Sequence, residues 1–322
     1  MRRKSRLPVL LGLLLLVGCG IRRDRGNDFE RIIWTVEWSA DGRLAIGGNQ
    51  GSLRVYRQEP SGRPSTWPVS GTITAVAWHP TRDLLAVTVQ GSGSPSFLVK
   101  DGQQSTFPLD SVSPDGARGI GWNAAGDRLA VSDNDGFLLL YDASGALQSR
   151  RRVDPKGTTA LAWHPDGRRI DVVNSAWHTY FPAADSLVSR PFRAESTLVL
   201  TADWNPTGEL LALGDYGDRD SAIPPELQFR TPRDSLELRY AGGSAEYRSV
   251  RWDSEGASLV AGADGVYLWD VEGTLVAHVL RDHYIWGISW HPDGSRLIAT
   301  SGEGQAFLLD RNLNILRTYN RP

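Results

Sequence analysis

The stretch ISWHPDGSRLIAT, from Ile288 to Thr300, is one copy of the unit that builds this chain: an apolar residue, a spacer, a tryptophan, a turn and a second apolar run. Toward the N-terminus the unit recurs as VRWDSEGASLVAG from Val250, ADWNPTGELLALG from Ala202, LAWHPDGRRIDVV from Leu161, IGWNAAGDRLAVS from Ile120, VAWHPTRDLLAVT from Val76 and VEWSADGRLAIGG from Val36. Its anchors, Trp38, Trp78, Trp122, Trp163, Trp204, Trp252 and Trp290, are 40, 44, 41, 41, 48 and 38 residues apart. Such a period, with turn residues between short aliphatic runs, belongs to a four-stranded propeller blade. Seven copies predict an all-β chain: a seven-bladed β-propeller of four-stranded antiparallel blades over residues 29–322.

Within a copy, short alternation before the tryptophan predicts the first strand. Turns such as Asp41-Gly42, Asp166-Gly167 and Asp293-Gly294 follow, because aspartate caps its own turn and glycine accepts positive φ. After the second apolar run, Asp135-Gly136 or Asp264-Gly265 has two-residue hairpin chemistry and leads to a third strand, FLLLYD or VYLWD. A fourth strand such as LQSRRRV completes the blade. This grammar resembles the WD-repeat propellers, although only Trp269-Asp270 matches the signature dipeptide; elsewhere it is Tyr141-Asp142, Lys100-Asp101 or Leu309-Asp310. The Trp-[His/Ser]-Pro-Asp-Gly turn also resembles the repeats of the periplasmic propeller in the Tol system. Both resemblances imply a fold and leave function to the site. With no strand left over at either end, ring closure is expected to rest on face packing between the first and last blades.

Residues 1–18 read as a signal peptide, since Arg2, Arg3, Lys4 and Arg6 precede an apolar stretch, Leu7 to Gly18, too short to span a bilayer. Leu16-Val17-Gly18-Cys19 resembles the lipobox of bacterial lipoproteins, which implies a covalent lipid on Cys19, the only cysteine, and excludes a disulfide framework within the chain. Residues 19–28 then form a lipidated, polar, flexible tether. The implied location is the cell envelope, lipid-anchored, with the outer membrane facing the periplasm favoured because Gly20 lacks the retention aspartate of the enterobacterial pattern. Removing the four basic residues of the leader from 35 leaves 31 against 37 acidic. That balance excludes a basic footprint for nucleic acid.

The anchor tryptophans are expected in the core, because equivalent positions in every blade need the same large apolar filler. His79, His164 and His291 are expected to be turn residues. Just before the anchors stand Glu37, Ala77, Gly121, Ala162, Asp203, Arg251 and Ser289, among which Asp203 and Arg251 are expected to pair near the channel.

Function should lie where copies depart from the pattern. In the fourth blade Asp171 replaces a small apolar residue, and NSAWHTYFPAAD carries Trp177, His178 and Tyr180. In the fifth, GDYGDRDSAIPPE lengthens the loop between second and third strands and carries Asp215, Tyr216, Asp218 and Asp220. By the same resemblance this face also presents His283 and Tyr284. These nine residues are the candidate partner-binding set. Trp177, His178 and Tyr216 are read either as a partner patch or as filler beneath the loop, and the three aspartates either as a calcium site or as a solvated acidic loop. No nucleophile elbow, phosphate-cradling loop or paired metal-binding histidine motif is present. The leading expectation is a non-catalytic scaffold, monomeric as a propeller and without a cofactor, that binds another envelope protein. The contrasting one is a calcium- or small-ligand-binding propeller with lactonase-like hydrolase activity at the channel mouth.

Overall fold

A computed structural model describes residues 32–91, 93–192, 196–233, 236–240 and 244–322. The segments expected to be a signal peptide (1–18) and a lipidated tether (19–28) lie outside these residues. The described chain forms seven four-stranded antiparallel sheets, each built from consecutive strands. The innermost strands are Ile33–Trp38, Thr72–Trp78, Ala117–Trp122, Ala160–Trp163, Val199–Trp204, Ser249–Trp252 and Ile285–Trp290. The predicted seven blades are therefore observed, one per anchor tryptophan.

Register explains why one sequence unit makes one blade. Each anchor pairs across the first hairpin with an aliphatic residue of the second strand: Leu44, Leu85, Leu129, Ile170, Leu211, Leu259 and Leu297. All seven of these partners are fully buried. Trp38, Trp78, Trp204 and Trp252 are buried, whereas Trp122, Trp163 and Trp290 are half-buried. An indole in such a position removes roughly 150–250 Å² from water, worth about 4–6 kcal/mol as an upper bound.

Neighbouring blades are joined through the same residues. Trp78 Nε1–H donates to Glu37 O (3.2 Å), Trp122 to Ala77 O (3.2 Å), Trp163 to Gly121 O (2.9 Å) and Trp290 to Arg251 O (3.3 Å). The histidine turns add a second link, as expected of structural residues. His79 Nε2 meets Gly126 O at 2.8 Å and its ring lies against Trp122, while His164 meets Gly208 O at 3.0 Å and lies against Trp204. Glycine is required at 126, where φ is +73° and a Cβ would stand 2.4 Å from the His79 ring.

Ring closure uses face packing, with no exchanged strand among the described residues. Trp38 N–H donates to Ser289 Oγ (3.0 Å), Thr300 Oγ1–H to Ile33 O (3.3 Å), and Arg296 and Tyr319 both bond Glu59 (3.0 and 2.8 Å). Ile33, Val36 and Trp38 of the first blade share one apolar cluster with Ile298 and Leu308 of the seventh.

Candidate functional site

The fourth-blade candidates are core residues. Trp177 is 2%, His178 5% and Tyr180 3% exposed, and Asp215 of the fifth blade is wholly buried. This corrects the expectation that they present an exposed patch: Trp177 and His178 are the filler of the alternative reading, and the buried Asp215 is not part of a solvated acidic loop. The cause is Asp171. Its Oδ1 accepts from Trp177 Nε1 and Thr179 Oγ1 (2.7 Å each), and its Oδ2 accepts from Trp204 Nε1 (2.8 Å). In this one interface a carboxylate replaces the carbonyl that binds the anchor indoles Trp78, Trp122, Trp163 and Trp290, and Trp177 fills the space between the fourth and fifth blades. Burial raises the Asp171 pKa against the lowering effect of those three donors.

His178 links Asp154 Oδ2 (Nε2, 2.9 Å) to Ser189 Oγ (Nδ1, 2.8 Å). The array has the members of a hydrolase triad. However, Ser189 faces His178 directly in strand register, on the exposed outermost strand Ser186–Pro191, so the hydroxyl lies on the blade edge, away from the channel. The three groups pin the third and fourth strands to the preceding loop.

The fifth-blade loop does not gather its carboxylates. Asp215 Oδ1 accepts from Gly217 N–H (2.9 Å) and Glu226 N–H (2.8 Å), turning inward beneath the loop. Asp218, half-buried, accepts from Asp220 N–H (3.0 Å) and Ser221 N–H (3.3 Å), and the hydroxyls of Ser221 and Ser196 hold its carboxyl below the usual range. Asp220 is exposed and Tyr216 half-buried. Among the described residues no three histidine, cysteine or acidic side chains converge as a metal would need.

Near the channel, Asp203 and Arg251 make no direct ion pair, which corrects the expected pairing. Asp203 Oδ2 accepts from Trp252 N–H of the next blade (2.9 Å), while Arg251 Nη1–H donates to Val250 O (2.7 Å). Glu37 acts like Asp203, accepting from Trp78 N–H (3.3 Å). Glu37, Asp203 and Ser289 are thus clamps on the following blade, whereas Arg251 is not. Enclosure raises Glu37 to about 8 and Asp203 to about 6, with the Arg251 charge opposing the rise in each.

The residues that converge on solvent at the axis lie four positions before each anchor: Trp34, Thr74, Arg118, Thr159, Leu200, Arg248 and Trp286. In the first, second, third, fifth and seventh blades this position is skipped in the strand register, as between Ile33 and Thr35 or Ile285 and Gly287. A bulge re-aims the side chain it carries. Here it turns the residue toward the channel mouth, around a cavity of about 150 Å³. The ring is chemically uneven. Trp34 and Trp286, from adjoining blades, lie 4.7 Å apart; the Arg248 guanidinium sits 3.8 Å over Trp286, and Arg118 reaches across the second blade to 5.8 Å from Trp34. Burial, and secondarily the charge of Arg248, lowers the Arg118 pKa.

Two of the original candidates lie in the loop that leads into Trp286. His283 rests on Phe307 at 4.8 Å, 3.6 Å from Glu303 Oε2, and Tyr284 O accepts from Gly302 N–H (2.9 Å) in the loop that packs on Trp286. Val199 pairs with Asp215 and Ile285 with Ser301, so the fifth-blade loop opens on the same face.

Comparison with known proteins fits this architecture. Residues 271–310, from the end of the sixth blade through most of the seventh, match the family described as WD domain, G-beta repeat. The chain is also similar to the Intraflagellar transport protein 80 homolog of Mus musculus, 21% identical over 188 residues, which is 57% of this chain and 23% of that protein. The chain thus spans less than a quarter of that relative. It is a seven-bladed propeller containing a WD40 repeat.

Proposed function

We propose that the chain is a lipid-anchored, non-catalytic propeller of the bacterial cell envelope that presents the face carrying the channel mouth to another envelope protein. WD40 propellers typically serve as protein-interaction scaffolds, and the blades here are committed to packing through repeated bonds that leave little chemistry outside the rims. One observation carries the choice of face. The ring of residues four positions before the anchors holds two tryptophans and two arginines, on the side where the extended fifth-blade loop and the His283 loop also emerge. These four side chains are half-buried, and aromatic and arginine side chains in a concave, partly desolvated setting are what binding hot spots are made of. Anchoring rests on Leu16-Val17-Gly18-Cys19, with two or three acyl chains exceeding the marginal hold of one.

The test has two parts. Metabolic labelling with an alkyne fatty acid should mark the protein and place it in the membrane fraction, and Cys19→Ala should abolish both. Crosslinking in cells should then join the mouth face to a distinct envelope protein. Unlabelled Cys19 protein would remove the anchor, and a mouth face without a crosslinked partner would remove the scaffold.

A further inference from the structure

The channel mouth holds more cationic and donor capacity than closing the ring requires. Arg118 has no carboxylate partner; its polar contacts are to Gln90 Oε1 at 3.3 and 3.4 Å. Arg248 binds the Glu246 carboxylate, yet its Nε is buried without a partner, as is Trp34 Nε1. Placing two guanidinium groups within each other's field at an enclosed site is costly unless an anion joins them. The two indoles, tilted by 49° at 4.7 Å, give the same site an aromatic wall.

We propose that this mouth binds a flat organic anion, with its carboxylate held by Arg118 and Arg248 and its aromatic body against Trp34 and Trp286. A guanidinium fork matches a carboxylate in two parallel hydrogen bonds, and the anion removes the repulsion between the two cations. The tryptophans favour a planar carrier over an aliphatic one, because offset or edge contacts between rings add to area burial. Such a group is carried by a free aryl acid or by the terminal carboxylate of a partner chain ending in an aromatic residue. Only the second source rests on the docking function proposed above.

The full lipidated chain in detergent, labelled with 5-fluorotryptophan, gives twelve fluorine resonances. Trp34→Phe and Trp286→Phe assign the two at the mouth. Phenylacetate, acetyl-Gly-Phe with a free carboxylate, and its C-terminal amide are the three probes. One or both acids should shift the two assigned resonances while the amide leaves them in place. Arg118→Ala should weaken binding by about tenfold or more, the loss expected for a charge-assisted bond. Arg118→Lys should recover part of it, and an unchanged unfolding midpoint confirms that both variants are folded. A response to phenylacetate assigns a small ligand; a response to the peptide acid alone assigns a chain terminus. Equal binding of amide and acid, or no shift with either acid, overturns the site. If crosslinking to a partner persists after that failure, docking stands and the anion site alone is removed.

Discussion

Replacing Asp171 with alanine should produce a large loss of stability that is unrelated to any ligand. The side chain is fully buried and accepts three hydrogen bonds, from Trp177 Nε1, Thr179 Oγ1 and Trp204 Nε1, at 2.7–2.8 Å. Alanine would leave those donors in a dry interface between the fourth and fifth blades. Each orphaned group costs about 1–3 kcal/mol, and removing a buried carboxylate returns part of that sum, so the net loss should be about 3–6 kcal/mol. Asp171→Asn keeps one acceptor but turns an amide NH₂ toward an indole N–H, so it should lose about 1–3 kcal/mol. Urea denaturation followed by tryptophan fluorescence reads both variants against the parent. An Asp171→Ala loss under about 1 kcal/mol, or an Asn variant less stable than the alanine one, would refute the reading of Asp171 as a structural acceptor.

Other consequences follow from the same geometry. Glu37 is raised to about 8 from 4.5, so the folded state holds its proton where the unfolded chain has lost it; stability should fall as pH rises from about 4.5 to 8 and then level off. Glu37→Gln should remove that slope, matching the parent near pH 4 and exceeding it by about 2 kcal/mol at pH 9, measured by denaturation at each pH. Gly126→Ala should cost about 2–4 kcal/mol because positive φ and the His79 ring both oppose a methyl, whereas Gly51→Ala, at φ +75° with nothing within 4 Å, should cost about 1 kcal/mol; equal losses would remove the contact from the explanation. A fluorophosphonate probe should leave Ser189 unlabelled in intact protein by peptide mass spectrometry, and stoichiometric labelling would make the Ser189–His178–Asp154 array catalytic.

Blade number, blade boundaries and the structural place of the histidine turns were legible because packing repeats itself: whatever fills one interface must fill the next. The site was less legible for two physical reasons. Strict alternation puts Trp34 on the same side as Val36 and Trp38, in the core; the skipped register between Ile33 and Thr35 sends it to the axis instead, and no local residue announces that bulge. A sign was nonetheless present. Reading four positions before each anchor gives Trp, Thr, Arg, Thr, Leu, Arg and Trp, an uneven series where the positions nearer the anchor are mostly small or aliphatic. His178 misled because its partner Asp154 is 24 residues away, and Trp177 because the Asp171 that binds it also takes Trp204 of the next blade, 33 residues on. A departure from the repeat marked a change in how an interface is satisfied as readily as it marked a surface.

Docking at the channel mouth is tested most directly by a photo-crosslinking amino acid placed, in separate strains, at the exposed Asp282 in the loop before Trp286, at Glu303 near it and at Glu255 in a turn on the opposite face. The first two positions should yield the same crosslinked envelope protein and the Glu255 position should not. Crosslinks of equal yield from both faces, or from Glu255 alone, would contradict the assignment of function to this mouth.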